Sequence, residues 1–504
     1  MGTLKGSVTR GAAWMVLYRL VDRSLGLVST LFLARLLVPA DFGLVAMATS
    51  LIAILELLNA FGLDVALIQR ANAERVHFDT VWTLNVLAGL TIAALLVLLS
   101  WPMSLFYHEP RLVALMCVLA LGSAASGCEN IGVVAFRKEL NFDREFRYLF
   151  TKRMLTFGMS IALALTLRNY WALAISMTAG RIMGVAISYR MHPFRPRFSF
   201  AALRDFMHFS TWVFLQNICF LLKERSADFI VGRISGPYSV GVLNVSTEIA
   251  SMPGTELVAP INRAALPVYA QLAKDLPRLA AQYLSVTALV ALLVTPCVAG
   301  IGALGSVVTG LLLGPKWHDA STLISLVAFV GIANVLLNTS HPAVLAVGKP
   351  AVFARITAVQ VCLQIPALIV LTRTSGAMGA AIGYVVSSVG MLPFSLYFIL
   401  RTIGVRYRDY LGCIWRPLTA ATVMYLVLRL VMPPIDVMHL STLEAVVLLG
   451  KYAPLGAALY AATLAALWLL SGRPEGAELK VLRELAGRWQ RLRQRRLLAG
   501  RAPR

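Results

Sequence analysis

The chain has 504 residues, 58% hydrophobic and only 14% charged, with a mean hydropathy of +0.74 and a formal net charge of +22. A soluble domain covers its surface with about 25% charged residues, so this composition excludes an ordinary water-soluble enzyme and points to a bilayer as solvent. The basic excess sits on no soluble domain, which argues against nucleic acid as a partner and for the positive-inside rule of membrane proteins.

A spanning helix needs about 20 mostly apolar residues. Fourteen stretches meet that need: 12–37, 42–63, 80–106, 111–135, 149–167, 170–190, 206–231, 238–266, 283–313, 318–346, 351–372, 376–400, 410–432 and 442–470. Backbone groups in hydrocarbon must be paired within their own segment, which makes these runs helices. They are too long and too continuous for barrel strands. The first run has no A-x-A cleavage site, so the first helix is expected to be retained. The six cysteines lack metal-ligand or disulfide spacing and read as small packing residues.

With the N-terminus in the cytoplasm, the inner loops gather Arg70 and Arg75, the group Arg137, Lys138, Arg144, Arg147, Lys152 and Arg153, and the group Arg190, Arg195, Arg197 and Arg204. Outer loops hold about one cation each: Arg35, Arg111, Arg168, Arg233, Lys316 and Arg373. This bias predicts an even number of spans, with both termini on the cytoplasmic side of a bacterial inner membrane. After Ser471, residues Leu479, Leu482, Leu485, Trp489 and Leu492 recur at helical spacing among arginines. That tail is either a basic amphipathic helix on the anionic leaflet or a solvated extension.

Two short stretches match. Arg35, Pro39 and Gly43 recur as Arg233, Pro237 and Gly241 at one offset, 233 − 35 = 198. Each lies in the outer turn after the first span of a six-span half. Six is even, so the halves are parallel repeats related by an axis along the membrane normal, with the substrate path between them. The predicted fold is an all-α polytopic membrane protein of about 14 helices. Its parts are a six-helix lobe at 1–200, a second at 201–405, two additional helices at 406–470 and the tail at 471–504.

Ionisable residues at membrane depth are costly and usually line an interior or a wet path. The first span carries Arg19, Asp22 and Arg23 on one side, with Arg19 and Asp22 at pairing distance along the helix. The second carries Thr49, Glu56 and Asn59. The seventh carries Asn217, Glu224 and Asp228 flanked by Lys223 and Arg225, and the eighth carries Asn244, Glu248, Ser251, Thr255 and Asn262. Polar stripes on the first two spans of both halves predict a hydrated central cavity. Arg19 and Arg23 suit an anionic phosphate. Asp22, Glu224 and Asp228 are either partners of cations or sites for a coupling ion. His341, beside Pro342, reads as a packing residue. The outer loops are short and carry no catalytic constellation, Gly-rich phosphate loop or ATPase module, so the chain is expected not to be an enzyme.

A family resemblance joins these readings. Asp41-Phe42-Gly43 leads to Phe61-Gly62-Leu63-Asp64-Val65-Ala66-Leu67-Ile68-Gln69. Ala135-Phe136-Arg137-Lys138-Glu139-Leu140-Asn141-Phe142 and Pro260-Ile261-Asn262-Arg263-Ala264-Ala265-Leu266-Pro267 follow. Gly314-Pro315-Lys316-Trp317, Gly348-Lys349 and Gly376-Ala377-Met378-Gly379 complete the order. Over residues 10–400 the chain resembles bacterial polysaccharide transporters, the oligosaccharide flippases of the multidrug/oligosaccharidyl-lipid/polysaccharide exporter superfamily. The resemblance implies two six-helix lobes around a central cavity. It also implies alternating-access translocation of undecaprenyl-pyrophosphate-linked oligosaccharide units for lipopolysaccharide or exopolysaccharide synthesis. The implied partners are that lipid-linked oligosaccharide, membrane lipids and the pathway's polymerase and glycosyltransferases. No cofactor is implied beyond a coupling ion, H+ or Na+. Arg19 and Arg23 are the leading headgroup contacts, with Asp22, Glu56, Lys223, Glu224, Arg225, Asp228, Asn244, Glu248 and Arg263 as further substrate-site candidates. The second half offers fewer cavity cations than that pattern. A cation-coupled exporter of drugs or other amphiphiles is the alternative, favoured by Glu224, Asp228, Glu248 and Glu256. A non-transporting scaffold would have no use for the intramembrane charges.

Overall fold

The computed structural model describes residues 2–58, 63, 67–68, 70, 73–139, 141–203 and 211–473. Asn59, most of Phe61–Gln69, Arg204 and the amphipathic tail lie outside the described residues. All regular structure among the described residues is helical. In chain order the α-helices are α1 (Gly2–Leu36), α2 (Pro39–Leu58), α3 (Arg75–Tyr107), α4 (Arg111–Gly127), the short α5 (Val134–Lys138), α6 (Phe142–Leu167) and α7 (Trp171–Met191). Then come α8 (Thr211–Leu272), α9 (Leu276–Ala303), the short α10 (Gly305–Leu312), α11 (Ala320–Ala346), α12 (Ala351–Ile403), α13 (Tyr407–Val431) and α14 (Thr442–Leu470).

Two of these are folded back on themselves. Asn244 reaches Asp228 at 2.7 Å although 16 residues separate them, a distance of about 24 Å along a straight helix. The reversal in α8 falls at Gly236, whose φ of 77° suits a residue without a side chain. In α12, Gln360 lies 3.5 Å from Ser388 across a break at Ser375 and Gly376.

Among the described residues, eight helices are long and apolar enough to cross a membrane, and up to nine if Arg111–Gly127 and Ile131–Lys138 form one span bent by 60°. The long helices outside that group are α1, α6 and α8. They hold Arg19, Asp22 and Arg23, then Lys152 and Arg153, then Lys223, Glu224, Arg225 and Asp228. Charged residues along these helices are what lowers their hydropathy. The chain is a multi-pass membrane protein.

The helices pack into two compact units. One holds 1–244, 312–317 and 368–380, the other 245–311, 318–367 and 381–504. In the first, α3 packs on α4, α4 on α7, α7 on α6 and α6 on α1. The segment 312–317 belongs here because it satisfies the end of α1. Trp317 Nε1 donates to Ala34 O at 2.7 Å and Lys316 Nζ to Leu36 O at 3.2 Å. Carbonyls in the last turn of a helix have no partner within it. In the second unit, α9 packs on α11 and α13, and α13 on α14. Its core includes the stacked rings of Tyr283 and Tyr410.

Candidate functional site

The charged residues of the first unit form a row of pairs joining α1, α2, α4, α6 and α7. Arg153 Nε lies 3.0 Å from Asp22 Oδ1, and Arg153 Nη2 donates to the Asp22 carbonyl at 3.3 Å. The expected Arg19–Asp22 pair is therefore replaced by a contact between helices. Gly26, one turn along α1, makes room: a Cβ there would lie 2.9 Å from the Arg153 guanidinium. Arg181 Nη2 donates to Glu56 Oε1 and Nη1 to Ser123 Oγ, each at 3.0 Å. Lys152 Nζ pairs with Glu129 Oε2 at 2.8 Å, and Tyr148 donates its hydroxyl to the other Glu129 oxygen.

The placement of these groups separates them from ordinary loop charges. Arg19 is residue 18 of the 35 in α1, Arg153 residue 12 of the 26 in α6, and Arg181 residue 11 of the 21 in α7. Each lies near the middle of a helix, where an isolated charge would be most costly. The pairs stay part-exposed: Asp22 is 40% and Glu56 47% exposed, against 33% for Arg153 and 29% for Arg181. The arrangement is thus an accessible one, rather than a sealed set of buried ion pairs. Arg19 is exposed and Arg23 half-buried on the same helix. Lys152, Arg153 and Arg181 pair with Glu129, Asp22 and Glu56, and Arg19 and Arg23 flank Asp22 along α1.

Lys152 and Arg153 were counted with the inner-loop cations, although they fall within the first residues of the predicted fifth span, 149–167. The helix starts at Phe142, and no glycine or proline interrupts it before Gly158. That uninterrupted run was the available signal. Arg181 and Glu129 carry no sign of grouping in the sequence, since their contacts to Glu56 and Lys152 join distant segments of the chain.

Asp228 is placed differently. It is 2% exposed. Ser50 of α2 donates its hydroxyl to Oδ2, Asn244 Nδ2 donates to Oδ1 at 2.7 Å, and Arg225 Nη1 lies 3.6 Å from Oδ2. Three of the predicted site residues, Asp228, Arg225 and Asn244, therefore meet, and their fourth member, Ser50, was not anticipated. A single buried serine carries no mark in a sequence. Around Asp228 the carboxylate binds α2 to both arms of α8, and it faces Ser50 rather than the arginines of α1.

One turn from the start of α2, the repeated motifs meet. A Cβ on Gly43 would fall 1.7 Å from the Pro237 carbonyl oxygen, and a Cβ on Gly241 would fall 1.8 Å from that of Pro39. Each motif's glycine sits on the other motif's proline, a reciprocal contact that only two glycines permit. Gly232 extends the close approach, with Tyr107 and Met47 against it.

Glu224 is exposed and Lys223 half-buried; in the second unit Glu248 is half-buried and Arg263 exposed. Asn262 donates to the Asn338 carbonyl at 3.0 Å, a contact between helices. His341 packs its ring against Phe353, centroids 5.0 Å apart.

Comparison with known proteins follows from this geometry. Residues 32–322 match the family described as polysaccharide biosynthesis protein. The lipopolysaccharide biosynthesis protein WzxC of Escherichia coli K12 is 23% identical over 424 residues, 82% of this chain and 85% of its own length. The succinoglycan biosynthesis transport protein ExoT of Rhizobium meliloti is 23% identical over 84% of this chain and 86% of its length. Among solved structures, the lipid II flippase MurJ in an inward closed conformation superimposes with a TM-score of 0.69 at 13% identity, over 90% of this chain and 98% of MurJ. That likeness shows the fold.

Proposed function

The chain belongs to the polysaccharide biosynthesis protein family, and on that premise we propose that it flips lipid-linked oligosaccharide units across the bacterial inner membrane by alternating access. The substrate is a repeat unit on undecaprenyl pyrophosphate, destined for surface or exported polysaccharide. Relatives that this chain matches over most of their length are named for lipopolysaccharide biosynthesis and succinoglycan transport, which supports a transporter and not an enzyme.

The observation that carries the chemical reading is the mid-helix row of part-exposed cations in the first unit. Pyrophosphate needs bidentate, always-charged donors in a setting where water is scarce. Arg19 and Arg23, together on one side of α1, supply them. Arg153 and Arg181 join them by exchanging Asp22 and Glu56 for phosphate oxygens. The carboxylates hold the guanidiniums in place between substrates, at a modest penalty for release because both pairs are part-exposed. The apolar tail of the substrate stays in the bilayer. Both termini lie in the cytoplasm on this reading, with H+ or Na+ as the coupling ion.

The test is complementation of a deletion strain. Arg19→Ala with Arg23→Ala removes polysaccharide export while protein level in the membrane is unchanged. Normal export in that double variant sinks the headgroup assignment. Drug sensitivity of the deletion strain with intact surface polysaccharide would favour the exporter of drugs instead.

A further inference from the structure

Between α7 and α8 the chain runs without helix from His192 to Phe200. This strap lies along the first turns of α3, and α3 side chains take up its backbone groups. Asp79 Oδ1 accepts from Arg197 N at 2.9 Å, Thr83 Oγ1 from Ser199 N at 2.9 Å and Thr80 Oγ1 from Ala202 N at 3.3 Å. Asn130 Nδ2 donates to Phe194 O at 2.8 Å, and Arg75 Nη2 to Arg195 O at 3.1 Å. Asp79, Thr80 and Thr83 are buried, so they serve the strap rather than solvent.

The depth of the strap follows from helix length. With its 33 residues, α3 is about 50 Å long, against about 30 Å of hydrocarbon. Centred in the bilayer it overhangs by about 10 Å at each end, roughly seven residues, which puts the hydrocarbon boundary near Val81 and Trp82. The strap descends from Arg75 to Thr83, reaches that boundary and returns. Non-helical backbone is tolerated there only when its polar groups are paired, which is what Asp79, Thr80 and Thr83 accomplish. At the turning point Phe198 is 70% and Phe200 56% exposed. Phe198 packs one side of its ring on Trp82, centroids 5.0 Å apart. Arg195 and Arg197 are exposed, and Arg195 anchors one edge of its guanidinium on the strap, Nη1 donating to the His192 and Phe194 carbonyls at 3.0 and 2.9 Å.

We propose that this strap is a docking site for an anionic phospholipid: Phe198 and Phe200 enter the acyl-chain region, and Arg195 and Arg197 hold the headgroup phosphate. Two exposed phenylalanines beside two exposed arginines match the two chemistries of a lipid at one level of the bilayer. Aromatic rings favour the interface, and basic residues there draw anionic lipid. A protein partner would meet the same rings, but the arginines stand at headgroup depth, where phosphate is the prevailing anion.

The experiment uses the full chain with photoreactive benzoylphenylalanine in place of Phe198, in cell membranes and in nanodiscs of phosphatidylethanolamine and phosphatidylglycerol. It needs no transport, so its outcome is independent of the flippase reading. Illumination yields phospholipid adducts in which phosphatidylglycerol exceeds its share of the bilayer. Arg197→Gln, which spares the backbone N–H held by Asp79, reduces that excess about fivefold, and the protein elutes unchanged in gel filtration. Arg195→Gln does the same. An adduct to protein, the absence of a lipid adduct, or an unchanged phosphatidylglycerol share in both variants would overturn the proposal.

Discussion

Asp228 sits at a junction where one carboxylate joins α2 to both arms of α8. Asp228→Ala leaves the Asn244 amide without its acceptor, at a cost of about 1–3 kcal/mol, while the buried Ser50 hydroxyl keeps the Ala46 carbonyl at 2.8 Å but loses its tie to α8. The thermal midpoint of the detergent-solubilised protein falls accordingly, and Asp228→Asn, which keeps one acceptor oxygen, falls less. Equal midpoints for the two variants would deny the junction its role. Arg181 and Glu56 offer a second test at this scale. If Arg181 exchanges its carboxylate for substrate, Arg181→Ala reduces export about tenfold or more while Glu56→Gln leaves most of it. Equal losses would make the pair structural. Side-chain chemistry of this kind is only half legible in a sequence. Arg19, Arg23, Glu56 and Asp228 could be picked out because ionisable residues in apolar runs are rare. Ser50, which meets Asp228, and Ser123, which meets Arg181, could not, because a serine on a membrane helix has no distinguishing pattern until the neighbouring helix is placed.

At the level of helices, the contact between α2 and the second arm of α8 depends on two missing side chains. Gly43→Val or Gly241→Val would drive a Cβ into a backbone carbonyl, so the crossing has to part. Both variants lose export although the protein is present in membranes, whereas Gly158→Ala and Gly390→Ala, with nothing within 4 Å of the added atom, export normally. Export retained in Gly43→Val would show that this crossing need not close during transport. The pairing of the motifs was foreshadowed by their constant offset of 198 residues, 241 − 43. A repeat in sequence cannot say that its two copies touch. Element type was clear wherever apolar residues ran on unbroken, as in α9 and α11. It blurred at α6, where Asp143, Arg144, Glu145 and Arg147 in its first turns moved its apparent start inward to residue 149.

For the molecule as a whole, composition and span length already required a polytopic helical protein, since 14% charged residues cannot cover a soluble chain of 504. Function needed more: the order of the family motifs, then the placement of cations at mid-helix depth in the first unit. The flippase reading is tested most directly by asking on which leaflet the substrate waits. In a strain lacking this chain, undecaprenyl-pyrophosphate-linked oligosaccharide is labelled with a membrane-impermeant sugar-oxidising reagent, in spheroplasts and in inverted vesicles. The account predicts that the intermediate accumulates accessible only in inverted vesicles, and that wild type, but not the Arg19→Ala, Arg23→Ala variant, restores its labelling in spheroplasts. Labelling in spheroplasts that is equally strong without the chain would contradict it.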